Sequence, residues 1–376
     1  MSTQITIGGR TIGQGGAVYI IAEMSANHNG DLEQARRIVH AAKEAGADAV
    51  KLQTYTADTM TLDLRSELFE VGTGTLWAGR NLYDLYAEAS TPWEWHAELK
   101  QTANDLGLDL FSSPFDSTAV DLLESIDVPA YKIASFELVD IPLIQRVAKT
   151  GKPMIVSTGM ATVAEIVEAV QAARQAGATD IALLKCTSAY PAPPASMNLR
   201  TIPDLAERFA VPVGLSDHTL GIAVPAAAVV LGACIIEKHF TLSRSVPGPD
   251  SAFSLEPDEF KAMVDAVRVT EQALGSVQYA ITSQEKASSV FRRSVFVVED
   301  MRAGETFTEA NVRCIRPGHG LAPKHFPEVL GQRASRSISR GTPLDWNLID
   351  GPAGSNHGVE QVTGSVSARQ GCDRFS

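Results

Sequence analysis

Residues 211–250 read VPVGLSDHTLGIAVPAAAVVLGACIIEKHFTLSRSVPGPD: a strand, a helix and a second strand. Each strand ends in a polar cluster holding one histidine, Ser216-Asp217-His218 in the first and Glu237-Lys238-His239 in the second. Side chains along a strand alternate between its two faces. Ser216 and His218 therefore share one face, and so do Glu237 and His239. The apolar segment between them, 221–232, has the length of helix that a parallel βαβ crossover needs. Neighbouring parallel strands lie about 4.8 Å apart, which brings two imidazoles at matching carboxyl ends within reach of one divalent cation. Either histidine alone would serve equally well as a hydrogen-bonded strand end. The pair, at equivalent positions of consecutive units, points to a metal.

The same unit repeats upstream. Strands are expected at 18–24, 49–53, 108–112, 130–134, 154–157 and 181–187, with a helical pattern after each. Asp31 is the expected N-cap of the first helix and Ser117 of the helix after the third strand. Nearly unbroken apolar strands imply burial of both faces, as in parallel sheets. Eight strand–helix alternations predict a closed (β/α)8 TIM barrel over residues 1–275. An open doubly wound sheet is the alternative, but no Gly-x-Gly-x-x-Gly follows the first strand. A small hairpin is expected over 5–16, ahead of the barrel. A long insertion after the second strand, reaching Thr91, carries Trp77, Tyr83 and Tyr86; insertions of this length tend to be functional. The rhythm stops at Gly275. Residues 276–290 read as a polar linker, and 291–350 as a small, loop-rich domain of short β-type runs. Residues 351–376, rich in Gly, Ser and Gln, read as a disordered tail.

Composition narrows the function classes. The 376 residues suffice for one large barrel and a small domain, and 44% hydrophobic with 20% charged residues is ordinary for a soluble globular chain. A net charge of −12 argues against nucleic-acid binding. An anionic substrate then needs a local basic pocket. The four cysteines, Cys186, Cys234, Cys314 and Cys372, show no metal or redox spacing, which fits a reducing compartment. No secretory leader and no membrane-spanning run is read from the sequence, so a cytoplasmic protein without membrane partners is expected.

All eight expected strand ends are polar, and in this barrel class catalytic groups sit there. They offer Glu23, Lys51 and Gln53 on one face, Ser113 with Phe115 and Asp116, Lys132 with Ser135, Ser157, Ser188 with Tyr190, and the two histidine clusters. Lys51 and Lys132 lie inside strands, where lysine is rare unless paired. A salt bridge to Glu23 or Glu237 is one explanation. The other is a phosphate pocket built from two ammonium groups and the hydroxyls of Ser113, Ser135 and Ser157. Lys185 is either a third cation or a residue facing the helix layer. A phosphate pocket beside a metal suits carbonyl chemistry, such as an aldol-like condensation with phosphoenolpyruvate.

Longer motifs carry a resemblance. AEMSANHNGD, GADAVKLQTYTADTMTLD, FSSPFD, PAYKIASFE, GKPMIVSTGM, LLKCTSAYPAP, GLSDHTLG and IEKHFTL resemble the sialic acid synthase family, and FRRSVFVV, GETFT and IRPGHGL extend the likeness into the second domain. It covers residues 2–350. The resemblance implies a barrel joined to an antifreeze-like (SAF) domain, and condensation of phosphoenolpyruvate with an N-acetylated amino sugar. It implies that His218 and His239 hold a divalent metal, Mn2+, Mg2+ or Co2+. Lys51, Ser113, Lys132, Ser135, Ser157, Ser188 and Ser216 would bind phosphoenolpyruvate. Glu23 would meet the sugar and move a proton, and Tyr190, Glu237 and Asp250 would line the sugar side. Arg316 would reach the barrel of a partner subunit in a domain-swapped homodimer. Ser188, where the sialic branch has asparagine, and the 75–86 insertion TLWAGRNLYDLY favour the pseudaminic branch. Neuraminate or legionaminate synthesis, and a sugar-binding barrel without turnover, are the competing readings.

Overall fold

The computed structural model describes residues 3–351. Eight parallel strands close into a barrel as expected: β3 (Tyr19–Glu23), β4 (Ala49–Thr54), β5 (Asp109–Pro114), β6 (Tyr131–Ile133), β7 (Met154–Ser157), β8 (Ile181–Cys186), β9 (Val213–Asp217) and β10 (Ile235–His239). Closure is made by β10, which pairs with β9 on one side (Glu237 opposite Ser216) and with β3 on the other (His239 opposite Glu23). The hairpin is present too, as β1 (Gln4–Ile7) and β2 (Arg10–Gly13). At the amino end of the barrel strands, Tyr19 Oη donates to Asp109 Oδ2 at 2.7 Å, and Arg268 Nη1 donates to Val18 O at 2.8 Å.

Barrel helices alternate with these strands: α1 (Leu32–Glu44), α4 (His96–Asp105), α5 (Ser117–Ser125), α6 (Ile141–Ala148), α7 (Val163–Gln175), α8 (Thr201–Phe209), α9 (Ala223–Val230) and α10 (Pro257–Leu274). The insertion adds α2 (Ala57–Met60) and α3 (Leu82–Ala89). Asp31 caps α1 by accepting from Glu33 N–H. The cap of α5 is Asp116, not Ser117. Its carboxylate accepts from Thr118 and Ala119 N–H, a stronger charge-assisted arrangement at a helix start. Gly214 in β9 has no room for a side chain, since a Cβ there would lie 2.3 Å from Ile235 O.

The chain divides into two compact units, residues 1–276 and a second beginning at Val277. Within 276–290, read as linker from composition, a short helix α11 (Ser283–Lys286) is capped by Thr282. The second unit pairs β11 (Ser294–Val297) with β12 (Val312–Ile315), and β13 (Arg333–Ala334) with β14 (Ile349–Asp350), around a core that includes Val295, Phe307, Val312 and Leu344. Its one α-helix after β12 is α12 (Phe326–Val329). The tail expected beyond 351 lies outside the described residues. Among the described residues, no helix is long and apolar enough to cross a membrane.

Strand alternation also creates an ion pair outside the barrel lumen. Lys238 Nζ lies 2.6 Å from Asp217 Oδ2, both side chains fully buried, and Asp217 accepts from Thr219 N–H at 3.0 Å. Breaking such a pair on one side leaves a buried charge alone, at a cost of about 3–5 kcal/mol. Lys238→Met should therefore lower the denaturant midpoint of the barrel sharply, and adding Asp217→Asn should recover much of the loss. Equal midpoints for wild type and Lys238→Met in urea titrations would rule this out.

Candidate active site

The carboxyl ends of the strands surround a cavity of about 410 Å3. Period-two alternation aims Lys51 and Gln53 of β4, Ser216 of β9, and Glu237 and His239 of β10 into it. Glu23 ends β3, and Lys132 comes from the middle of β6. Lys51 Nζ lies 2.6 Å from Glu23 Oε2, 3.3 Å from Ser113 Oγ and 3.8 Å from Glu237 Oε1. Lys132 Nζ also lies 3.8 Å from Glu237 Oε1, and donates to Ile133 O at 3.1 Å. The salt bridges offered as one explanation of the strand lysines exist, and both ammonium groups also line one cavity. A relay of contacts extends the cluster. Gln53 Nε2 donates to Glu23 Oε1 at 3.1 Å and to Ser25 Oγ at 3.0 Å, and Ser25 donates to Asp250.

The charges in this cluster are unequal. Burial raises the Glu23 carboxyl above its ordinary value against the pull of Lys51, and the charge on Glu237 adds to the rise. Burial acts on Glu237 in the same sense, but Lys132, Lys51 and His218 outweigh it and hold that carboxyl low. Lys51 withstands burial because two carboxylates face it, and its pKa is raised. Lys132 shares its nearest carboxylate with Lys51, and burial lowers its pKa. Lys132 is thus the under-compensated cation of the cluster. A buried cation in that position favours an incoming anion.

Hydroxyls converge beside it. Ser157 Oγ is buried and has no hydrogen-bond partner. Ser135 Oγ accepts from Gly159 N–H at 3.1 Å. A Cβ on Gly159 would lie 2.3 Å from Ser188 Oγ and 2.6 Å from Ser135 Oγ, so this glycine leaves both hydroxyls open to one another. Ser216 Oγ donates to Glu237 Oε1 at 3.1 Å.

The histidine rings face each other with centroids 5.3 Å apart. His218 Nδ1 is 3.0 Å from Thr187 O. Donation to that carbonyl places the proton on Nδ1 and leaves Nε2 free. His239 Nδ1 is buried without a partner, and burial followed by the charge of His218 drives the ring well below its ordinary pKa, toward the neutral ligating form. Two nitrogen donors with an orphaned lone pair fit a divalent cation. Among the described residues no group of three or more His, Cys, Asp or Glu converges. Oxygen from solvent or substrate would complete the coordination, unlike in a closed structural zinc site.

Phe115 and Tyr190 line the same cavity; Tyr190 packs on His218 at 4.3 Å and Phe253 on His239 at 4.9 Å. Arg316 is exposed, just past β12 in the second unit. Lys185 turns away from the lumen and donates to Cys186 O at 2.6 Å, which settles its two readings in favour of the helix side. Its neighbour Cys186 takes the inward position instead. The lumen also holds Gln53, which alternation puts on one face with Lys51, Trp77 of the insertion, and Glu137, which the sequence did not single out. Period two from Leu184 was the available signal for Cys186. Half-buried Glu137 is lifted by burial to about 7.

Comparison with known proteins assigns the chain to a family. The NeuB family matches residues 38–279 and the SAF domain residues 292–350. A pseudaminic acid synthase from Helicobacter pylori is 50% identical over 332 residues, covering 88% of this chain and 97% of that protein. One from Campylobacter jejuni is 48% identical over 327 residues, covering 87% and 95%. The crystal structure of N-acetylneuraminic acid synthetase from Leptospira borgpetersenii superposes with a TM-score of 0.68 at 32% identity, over 77% of this chain and 95% of that one. The strand-end cluster, the SAF unit and the extent of these matches agree, and the chain belongs to the NeuB family.

Proposed function

We propose that the barrel condenses phosphoenolpyruvate with 2,4-diacetamido-2,4,6-trideoxy-L-altrose and water, giving pseudaminic acid and phosphate. The observation that carries the reading is the pair of buried ammonium groups, both 3.8 Å from Glu237, opening on the cavity that holds the facing histidines. Identity near 50% with two pseudaminic acid synthases, against 39% with a legionaminic acid synthase, supports the choice of acceptor.

In this reading Lys51 and Lys132 grip the phosphate, with Ser113, Ser135, Ser157, Ser188 and Ser216 as hydroxyl partners. Lys132, short of a carboxylate of its own, supplies much of the attraction. His218 and His239 would hold a divalent cation, manganese or a substitute such as magnesium or cobalt, which supplies Lewis-acid polarisation of a carbonyl when bound. Glu23, protonated more readily than an exposed carboxyl, gives its proton to the aldehyde oxygen as C3 of phosphoenolpyruvate bonds to C1. Glu237, kept ionised, faces the positive charge that develops at C2 and takes a proton from the water adding there. Lys51 and Lys132 then stabilise the departing phosphate. Tyr190 and Asp250 line the sugar side. Arg316, exposed beside β12, would come from a partner subunit and bind the sugar's acetamido group, in a domain-swapped cytoplasmic homodimer. The exposed Val277, Tyr279 and Phe291 of the same unit support a surface that a second copy covers.

His218→Ala and His239→Ala should each reduce phosphate release by at least a thousandfold and abolish Mn2+ binding in calorimetry, with circular dichroism unchanged. Retained metal binding in either variant would sink the assignment. Sedimentation should give a dimer, and Arg316→Ala should raise KM for the sugar about tenfold without changing KM for phosphoenolpyruvate; a fully active monomer contradicts this. Glu137 provides a pH test. Its carboxyl rises from an ordinary 4.5 to about 7 on folding. The protonated form is retained on folding, so there is no cost below pH 4.5, a growing cost up to about 7 and a full cost above. Glu137→Gln should therefore stabilise the barrel by about 3 kcal/mol at pH 8 and leave it unchanged at pH 4. The opposite pH trend in melting curves would refute the assigned state.

A further inference from the structure

The segment between β4 and α4 covers part of the cavity with carbon. Met60, Val71, Trp77, Leu82, Leu85 and Tyr86 all line it. Polar groups of the same segment are engaged elsewhere. Trp77 Nε1 donates to Pro249 O at 2.9 Å, and Tyr83 Oη to Asp58 Oδ1 at 3.1 Å. Asn81 caps α3 and donates to Leu64 O at 2.8 Å. Arg65 pairs with Asp84, and Arg80 with Glu88. The cavity therefore has two sides: a charged floor at the strand ends and an apolar wall from the insertion.

The reacting aldehyde end of an acceptor sugar belongs on the floor, beside the lysines and histidines. Its far end then projects toward the wall. We propose that this wall seats the C6 methyl of the acceptor and makes the site selective for 6-deoxy sugars over their 6-hydroxy counterparts. The inference rests on the condensation reading above. A methyl group gains by leaving water for a carbon surface. A hydroxyl in the same place loses its water and meets mostly carbon, with the Tyr86 phenol as the polar group of the wall. Discrimination of this kind in an apolar pocket is about ten- to a hundredfold.

The test uses the full-length enzyme with Mn2+ and measures phosphate release with two acceptors: 2,4-diacetamido-2,4,6-trideoxy-L-altrose and 2,4-diacetamido-2,4-dideoxy-L-altrose, which restores the C6 hydroxyl. Wild type should favour the first by about ten- to a hundredfold in kcat/KM. Val71→Thr, nearly isosteric, and Leu82→Asn should each reduce that ratio about fivefold or more, mainly through KM of the deoxy sugar, with KM for phosphoenolpyruvate within about twofold of wild type. A wild-type ratio near one, or a ratio unchanged in both variants, overturns the inference and leaves the condensation intact. Phosphate release with neither acceptor overturns the condensation and the wall together.

Discussion

Two ammonium groups and two carboxylates share the centre of this barrel, each less than a tenth exposed. Burying four charges is costly unless they compensate one another closely. The compensation is lopsided: Lys51 has Glu23 at 2.6 Å and Glu237 at 3.8 Å, while Lys132 has only the 3.8 Å contact to the carboxylate it shares. An isolated ion pair would be a structural feature and nothing more. A cluster with one poorly satisfied cation, next to the orphaned hydroxyl of Ser157, leaves charge and hydrogen-bonding capacity unmet. Burial raises the Glu23 carboxyl in the same cluster, and a proton there also relieves repulsion from Glu237.

The same strands carry the opposite solution on their other face. Asp217 and Lys238 sit one residue away from Ser216, His218, Glu237 and His239, and strand alternation turns them out of the lumen. There the two charges meet at 2.6 Å with nothing left over. Composition cannot separate these uses, because both faces hold acid and base. Geometry does: a saturated pair outside the barrel locks β9 to β10, and the cluster inside it is left unsaturated.

This explains what the sequence made legible. The barrel was readable because eight apolar strands recur at a regular spacing, and each strand end was readable because polar residues interrupt an apolar run. His218, His239, Lys51 and Lys132 stood out for that reason, and parity along the strand places them on the inner face. Gln53 shares its face with Lys51 by the same parity, while Cys186 obeys it but lacks an anomalous character in sequence, being neither charged nor histidine. Asp116 shows the reverse error. A polar residue at a strand end looked like part of the site, and Ser117 looked like the cap; the carboxylate took the cap because it accepts two backbone N–H groups at once. Glu137 lies in a single 3-10 turn (Phe136–Val139) and Trp77 in a loop, where the strand and helix periods do not predict which way a side chain turns.

The insertion joins recognition to chemistry through one ring. Trp77 is anchored to Pro249 O and packs on Tyr190 at 5.5 Å, and Tyr190 packs on His218 at 4.3 Å. A carbon surface held this way also withdraws water from the floor. With less water to screen them, the floor charges act over a lower local dielectric, so Lys51, Lys132 and Glu237 exert stronger fields on a bound substrate than they would in an open cleft. A polar wall would recognise a hydroxylated sugar but admit water to the cluster. Selection for an apolar sugar end and strengthening of the anion pocket are therefore two consequences of the same surface, and they rise or fall together when that surface is made polar.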